Sequence, residues 1–159
     1  MRLKGLVTII WILFLSVGLI CGTIEKVWAA DTEEKEGMKA IPSEEQQAKL
    51  VSTTMHVFAV SINEKSMKRF HNHVSALWQG QVTVETFNGM FKVFMDRNMN
   101  LTVLDDVEPS IADASIDLRG VLTIKGEYPE TDGATVFFKI EYIMEGKSWK
   151  CVGIDVDIK

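Results

Sequence analysis

Apolar residues recur at helical spacing in the first half of the region that follows Pro42. Ser43, with Gln46 three positions later, has the pattern of a capping box, which predicts the start of a helix. The apolar positions that follow are spaced four, three and four residues apart, as on one face of a helix: Val51, Met55, Phe58 and Ile62. The pattern therefore predicts a first helix with a single buried stripe.

Two further helices are predicted before residue 98. Asn63 is expected to cap a helix that runs to about Trp78, with the buried stripe Met67, Phe70, Val74 and Leu77. Thr83 is expected to begin a third helix, with the apolar positions Phe87, Met90, Phe91, Phe94 and Met95. Phenylalanine and methionine at this spacing favour packing between helices and a sheet.

The second half of the chain favours strands. Residues 101–107 are rich in strand formers, and residues 115–125 alternate as one long strand in which Gly120 marks a bend. Residues 134–158 predict a long antiparallel hairpin. Three helices followed by four strands predict an α+β domain, with the helices on one face of a mainly antiparallel sheet.

The turn of the final hairpin decides which side chains share a face. A two-residue turn at Gly146 and Lys147 would place Phe138 beside Asp155, so the alternation favours a three-residue turn that pairs Phe138 with Val152. The predicted inner face is Val136, Phe138, Ile140, Tyr142, Val152, Ile154 and Val156. The predicted outer face is Phe137, Lys139, Glu141, Ile143, Trp149, Cys151 and Asp155.

Residues 1–29 have the pattern of a secretory signal peptide. Arg2 and Lys4 precede an apolar run over residues 6–22, and Val27 and Ala29 occupy the positions that a signal peptidase recognises. The alternative is an uncleaved anchor, because the run is near the lower length limit for a membrane span. Residues 30–42 are predicted to be a flexible charged linker and residues 43–159 the folded domain, exported to the periplasm or, with an anchor, facing it from the inner membrane.

Charge and cysteine content exclude several function classes. The chain has a net charge of −5, and residues 1–29 hold three basic residues and one acidic residue, so cleavage leaves a more acidic domain. This balance argues against binding to nucleic acid or to an anionic membrane surface. Cys151 is the one cysteine after residue 29, which excludes an internal disulfide in the mature chain. The sequence has no zinc-ligand spacing, phosphate loop or nucleophile elbow, so neither a metal nor a cofactor is expected.

The domain resembles the nuclear transport factor 2-like superfamily. The similarity lies in the element order, in the strand GVLTIKGEY, and in the aromatic hairpin with its closing GKSWKCVGIDV, and it spans residues 43–159. Ketosteroid isomerases, the SnoaL group and VirB8-type secretion proteins are members. The resemblance implies a strongly curved, four-stranded cone with a cavity between the helices and the sheet, and dimerisation through the convex face. No catalytic set of the isomerases matches this chain.

The expected cavity defines one set of candidate residues. Its lining, for a small apolar ligand, is predicted to be His71, Trp78, Phe91, Phe138 and Tyr142. Of these, His71 and Tyr142 are the candidates for an acid–base pair, because burial can tune the histidine. The alternative for the same residues is ordinary core packing. His56 is predicted to be solvated, as are Asp105, Asp106 and Glu108.

The outer face of the hairpin defines a second set. An exposed apolar surface there is expected to form a homodimer or a partner-protein interface through Phe137, Ile143, Trp149 and Cys151. The sequence thus predicts an exported, non-enzymatic domain that binds a small ligand or a protein. The alternatives are an isomerase- or cyclase-like enzyme and a membrane-anchored component of an envelope assembly.

Overall fold

The helical half of the domain contains more elements than the sequence predicts. The computed structural model describes residues 40–131 and 133–159, so the predicted signal peptide and most of the linker lie outside the described residues. Five α-helices and a 3-10 helix precede the strands, not three helices. They are α1 (Glu44–Asn63), α2 (Lys68–His73), α3 (Ala76–Gln81), α4 (Val84–Met90), α5 (Lys92–Asp96) and the 3-10 helix Leu101–Asp106.

The first helix confirms its prediction. The Ser43 hydroxyl accepts a hydrogen bond from the Gln46 backbone N–H, and the Gln46 side chain accepts one from the Ser43 backbone N–H. All four residues of the expected stripe are at most 2% exposed. Local sequence alone is sufficient here because both the cap and the stripe lie within one helix.

The second predicted helix is wrong, because the chain breaks at Val74. Val74 has an extended backbone, and the Ser75 hydroxyl accepts a hydrogen bond from the Trp78 N–H (3.1 Å), which starts α3. The Ser75 N–H donates to the Cys151 carbonyl across the domain (2.8 Å). This break changes the phase of the helix, so Leu77 is 51% exposed and Trp78 is buried instead.

The third predicted helix begins as expected and then divides. The Thr83 hydroxyl caps α4 by accepting from the Thr86 N–H, and the chain turns at Phe91 before α5. Phe87, Phe91 and Met95 are buried, whereas Met90 is 40% exposed. The apolar stripe is therefore continuous in space although the helix is not.

Four antiparallel strands form one sheet in the order β1-β2-β3-β4. They are β1 (Ser110–Ile116), β2 (Leu122–Thr131), β3 (Ala134–Glu145) and β4 (Ser148–Ile158). The predicted strand at 101–107 is the 3-10 helix, whose first turn is capped by the Asn100 side chain accepting from the Thr102 N–H.

The predicted long strand at 115–125 is two strands. Gly120 has a φ of 79°, and its N–H donates to the Asp117 carbonyl (2.9 Å), so it lies in the β1–β2 turn rather than at a bend within a strand. Gly120 therefore does not bend a strand. The strongly curved sheet that the resemblance implied is also not found, since the sheet is not strongly curled.

The register of the β3–β4 hairpin differs from the predicted one. Glu145 pairs with Ser148, so the turn is the two-residue one at Gly146 and Lys147. A register shift at Val152 then adds one residue to β4, and Phe138 pairs with Val156 instead of Val152. A three-residue turn was predicted because it avoids pairing Phe138 with Asp155. The bulge avoids the same pairing while the turn keeps two residues.

The bulge also changes the composition of the two faces. Cys151 lies opposite Tyr142 and Trp149 opposite Met144, on the inner face and not on the outer face as predicted. Cys151 is 1% exposed, and Trp149 packs against the core. A single core joins the helices to this face, with Leu122, Ile124, Tyr128, Val136, Phe138, Ile140 and Tyr142 as its buried strand residues.

Candidate functional site

The residues predicted to line a ligand cavity lie in the hydrophobic core. Trp78, Phe91, Phe138 and Tyr142 are between 1% and 9% exposed. The Phe91 ring lies 5.0 Å from that of Phe58, and Trp78 lies 4.9 Å from Phe87, both edge to face. Both ring contacts lie within the helical layer, and all four residues belong to one buried core that the helices share with the sheet.

The two residues predicted to form an acid–base pair have separate partners. His71 donates from Nε2 to the Val82 carbonyl (2.9 Å), and its ring contacts Phe87. The Tyr142 hydroxyl donates to the Thr54 hydroxyl on α1 (3.1 Å), and burial raises the pKa of Tyr142. No hydrogen bond joins His71 to Tyr142. Each polar group thus stabilises a different contact between elements.

The structure brings together a histidine and an aspartate that are distant in sequence. Nδ1 of His56 on α1 lies 3.0 Å from both carboxylate oxygens of Asp105 in the 3-10 helix. The two side chains are 54% and 36% exposed. Both residues were predicted to be solvated, and the sequence contains no signal for their pairing because 49 positions separate them.

A buried tyrosine, Tyr128 on β2, is close enough to this pair to be affected by the charge of Asp105. Burial raises the pKa of Tyr128 to about 12, a hydrogen bond with the Ser52 side chain acts in the opposite direction, and the charge of Asp105 adds to the rise. The His56–Asp105 pair thus connects α1 to the 3-10 helix above a polar position of the core. Exposed pairs of this kind contribute little to stability.

A shallow depression of about 580 Å³ lies on the helical surface beside α4 and α5. None of the predicted ligand residues lines it; its lining is Lys65, Asn88, Gly89, Lys92, Met95 and Asp96. Lys92 forms an ion pair with Asp96 (2.6 Å), and the depression is open to solvent. Within residues 40–131 and 133–159, no group of three or more His, Cys, Asp or Glu side chains is placed to hold a metal ion.

The outer face of the sheet is charged and keeps only part of the predicted interface. Phe137 and Ile143 remain on it, with Nζ of Lys159 at 4.6 Å from the centre of the Phe137 ring. Nζ of Lys139 lies 2.6 Å from the Glu141 carboxylate. Trp149 and Cys151 were also predicted to lie on this face, but they lie on the inner face. Burial raises the pKa of the Cys151 thiol to about 12.

The free edge of β4 is the most regular unpaired feature of the sheet. Thr135 and Lys159 exchange two backbone hydrogen bonds (2.8 and 3.1 Å), so this pair is of the hydrogen-bonded type. Such pairs alternate along an antiparallel ladder, and the register from Lys159 to Gly153 is continuous. Asp155 and Asp157 therefore bond to β3, whereas Ile154, Val156 and Ile158 direct their N–H and C=O groups away from it.

These outward groups are unpaired in the part of the chain that the structure describes. No described residue is hydrogen-bonded to the backbone of Ile154, Val156 or Ile158. Their side chains are half-buried against the rim of the core, while Asp155 and Asp157 between them are exposed on the outer face. The edge thus offers a row of donors and acceptors with an apolar side and an acidic side. We call residues Ile154–Ile158 the β4 edge.

The opposite edge of the sheet is less regular. The pairing of β1 with β2 shifts between Ile111 and Asp113. A bulge of this kind protects a sheet edge from pairing with other chains. In the part of β4 that precedes the bulge, the Cys151 carbonyl already accepts a hydrogen bond from the Ser75 N–H. The β4 edge is thus the stretch of the sheet with the best geometry for accepting another strand.

Comparison of the chain with protein-family models, curated proteins and solved structures found no match. The resemblance to the nuclear transport factor 2-like superfamily therefore stays a prediction. None of the helices in the described residues has the length and apolar content needed to cross a bilayer.

Proposed function

We propose that this protein is an exported protein-interaction domain that binds an extended segment of a partner along the β4 edge. The observation that supports the proposal is the row of unpaired backbone groups at Ile154, Val156 and Ile158. Exposed sheet edges of this kind bind peptides by strand addition, in which main-chain hydrogen bonds supply affinity and alternate side chains supply specificity.

Two of the other functions considered from the sequence, ligand binding and acid–base catalysis, have less support. A small apolar ligand needs an internal space, and Trp78 and Phe91, which were expected to line it, contact aromatic neighbours. An acid–base mechanism needs His71 and Tyr142 to act on one substrate, and each is bonded to a different element. Strand addition uses backbone groups of Ile154, Val156 and Ile158 that have no partner among residues 40–131 and 133–159.

Site-specific photo-crosslinking in the producing cells tests the proposal. A photoreactive residue at Asp155 is expected to crosslink one partner, whereas the same residue at Lys92, which is also exposed but lies on α5, is not. The Asp155 crosslink should disappear in the Val156→Pro background, because proline blocks the edge. Absence of a crosslink at Asp155, or its persistence with Val156→Pro, would contradict strand addition.

Export is tested separately by sequencing the amino terminus of the mature protein. A start at Ala30 supports a released domain. An intact residue 1–29 segment supports the alternative of an envelope assembly component that is held at the membrane. Mass spectrometry of the natively purified domain tests the ligand-binding alternative, which predicts a retained small molecule.

A further inference from the structure

The chemistry of the β4 edge limits which segment it accepts. Resting on the proposed function, we infer that the segment belongs to another protein and alternates apolar residues with lysine or arginine. The geometry of antiparallel pairs determines which positions of the two strands lie closest. In an antiparallel sheet, residues that do not exchange hydrogen bonds with each other have Cα atoms about 4.5 Å apart, closer than the bonded pairs. Because Asp155 and Asp157 bond to β3, they form the closer pairs with an added strand.

The added strand therefore places alternate side chains directly opposite two exposed carboxylates. Asp155 has no ion pair within the described residues. Lys139, which pairs with it on β3, has its Nζ 2.6 Å from the Glu141 carboxylate instead. Asp157 has one exposed partner, Lys159, at 3.4 Å. Opposite charges in cross-strand positions stabilise a sheet and like charges destabilise it, which favours basic residues at these positions.

The intervening positions have the opposite preference. The other side chains of the added strand point to the same face as Ile154, Val156 and Ile158. They extend the inner face, next to the half-buried rim of the core. Apolar side chains at those positions remove more apolar surface from water. The two sides of the β4 edge thus select one pattern, in which basic and apolar residues alternate with the period of a strand.

A second copy of this chain fits the edge poorly. The antiparallel register that pairs all three outward residues with those of another copy places Asp155 of each copy opposite Asp157 of the other. Both closest pairs are then between like charges, which is destabilising. A homodimer is therefore an outcome that the test must detect rather than the expected occupant.

The test uses three capped peptides of about seven residues, a length within the usual range of strands. The first alternates valine and lysine, the second has glutamate in place of lysine, and the third has the composition of the first in two blocks. Calorimetric titration of the full domain is expected to give affinity for the first peptide about tenfold higher than for the second. The block peptide should bind as weakly as the second, because its charges do not follow the strand period.

Matched variants identify the residues responsible. Asp155→Asn should weaken binding of the valine–lysine peptide about threefold, because one opposite-charge pair is lost. Asp113→Asn, a similar change on β1 where the carboxylate pairs with Lys125 (3.6 Å), should leave binding unchanged. Val156→Pro should abolish binding with the fold retained.

Three results would overturn the inference. Equal affinity for the lysine and glutamate peptides would remove the charge preference while the crosslink at Asp155 still supported strand addition. Equal weakening by Asp113→Asn and Asp155→Asn would indicate attraction to the net charge instead of pairing at β4. If the domain has twice the monomer mass in solution, and the Val156→Pro variant has the monomer mass, a second copy of the chain occupies the β4 edge.

Discussion

The backbones of Thr135 and Lys159 exchange two hydrogen bonds, and this pair fixes which residues of β4 are free. From Lys159 the ladder alternates, so Asp157 and Asp155 are bound to β3 and Val156 between them is not. The chemistry of the edge is a consequence of that one relationship, since a shift of the pairing between residues 153–159 and β3 by one residue would exchange the free and bound positions.

Proline substitutions at neighbouring positions of β4 should have unequal effects. Val156→Pro removes an N–H without an internal partner and is expected to lower the free energy of unfolding by about 1 kcal/mol or less, whereas Asp155→Pro breaks a ladder bond and should cost more than about 2 kcal/mol. Chemical denaturation of the two variants measures both values. Equal losses, or a larger loss for Val156→Pro, would show that the assignment of free positions is wrong.

Two glycines of the sheet should differ in their tolerance of alanine. A Cβ at Gly126 would overlap the Ser110 carbonyl oxygen and lie 2.8 Å from Cζ of Phe138, so Gly126→Ala is expected to cost about 1–3 kcal/mol of stability.

Gly153→Ala is the matched control. Its Cβ would approach Oε2 of Glu141 to 2.9 Å, and the end of that flexible side chain can rotate away. A loss below about 1 kcal/mol is expected for this variant in the same denaturation experiment. A Gly153→Ala protein that is less stable than Gly126→Ala would contradict the register of β4 against β3.

Tyr142 is expected to contribute to the stability of the fold through its hydrogen bond with Thr54. Its hydroxyl donates to Thr54, which is 2% exposed, so Tyr142→Phe leaves a buried acceptor without this partner and is expected to cost about 1 kcal/mol. In a double-mutant cycle, Tyr142→Phe combined with Thr54→Val should cost less than the sum of the single changes. Additive losses would show that the two hydroxyls do not interact.

His73 should make the domain less stable in mildly acidic solution. Burial, and then the charge of Lys150, lower the pKa of His73 below its usual value of 6.5. The unfolded chain therefore binds the proton first, so stability should fall as the pH decreases from about 6.5 to the folded-state pKa, and stay constant below it.

Comparing variants isolates this contribution from other titrating groups. The stability difference between the original chain and His73→Gln should change between about pH 7.5 and pH 5.5, and Lys150→Gln, which keeps the histidine, should show a smaller dependence than the original chain. A difference between the original chain and His73→Gln that is constant over this range would contradict the burial of His73.

The sequence is sufficient to predict features that depend on neighbours in the chain. The capping box at Ser43, the buried stripe of α1, the cap at Thr83 and the hairpin of β3 and β4 are of this kind. The α+β class and the number of strands also agree with the prediction, but the number agrees because residues 101–107 are helical while the strand predicted at 115–125 is two strands. The break at Val74 does not depend on chain neighbours, because the Ser75 N–H donates to Cys151, more than seventy positions away. Contacts of this range change the phase of a helix without a local signal.

The candidate site was missed for a similar reason. A one-residue bulge at Val152 allows the two-residue turn and also an apolar partner for Phe138, and simple alternation does not include it. It moves Trp149 and Cys151 to the inner face and leaves Asp155 and Asp157 as the exposed side of an edge. That β4 is an edge strand follows from the sheet order, which residue patterns alone do not determine.

Amide hydrogen exchange along β4 measures which backbone N–H groups are free and whether an added strand pairs with them. In the free domain, the amides of Ile154, Val156 and Ile158 are expected to exchange quickly and those of Asp155 and Asp157 slowly, because only the latter are bonded to β3. Saturation with the valine–lysine peptide should then protect the three fast amides. Protection of these three in the free domain, or no change in them at saturation, would contradict strand addition at this edge.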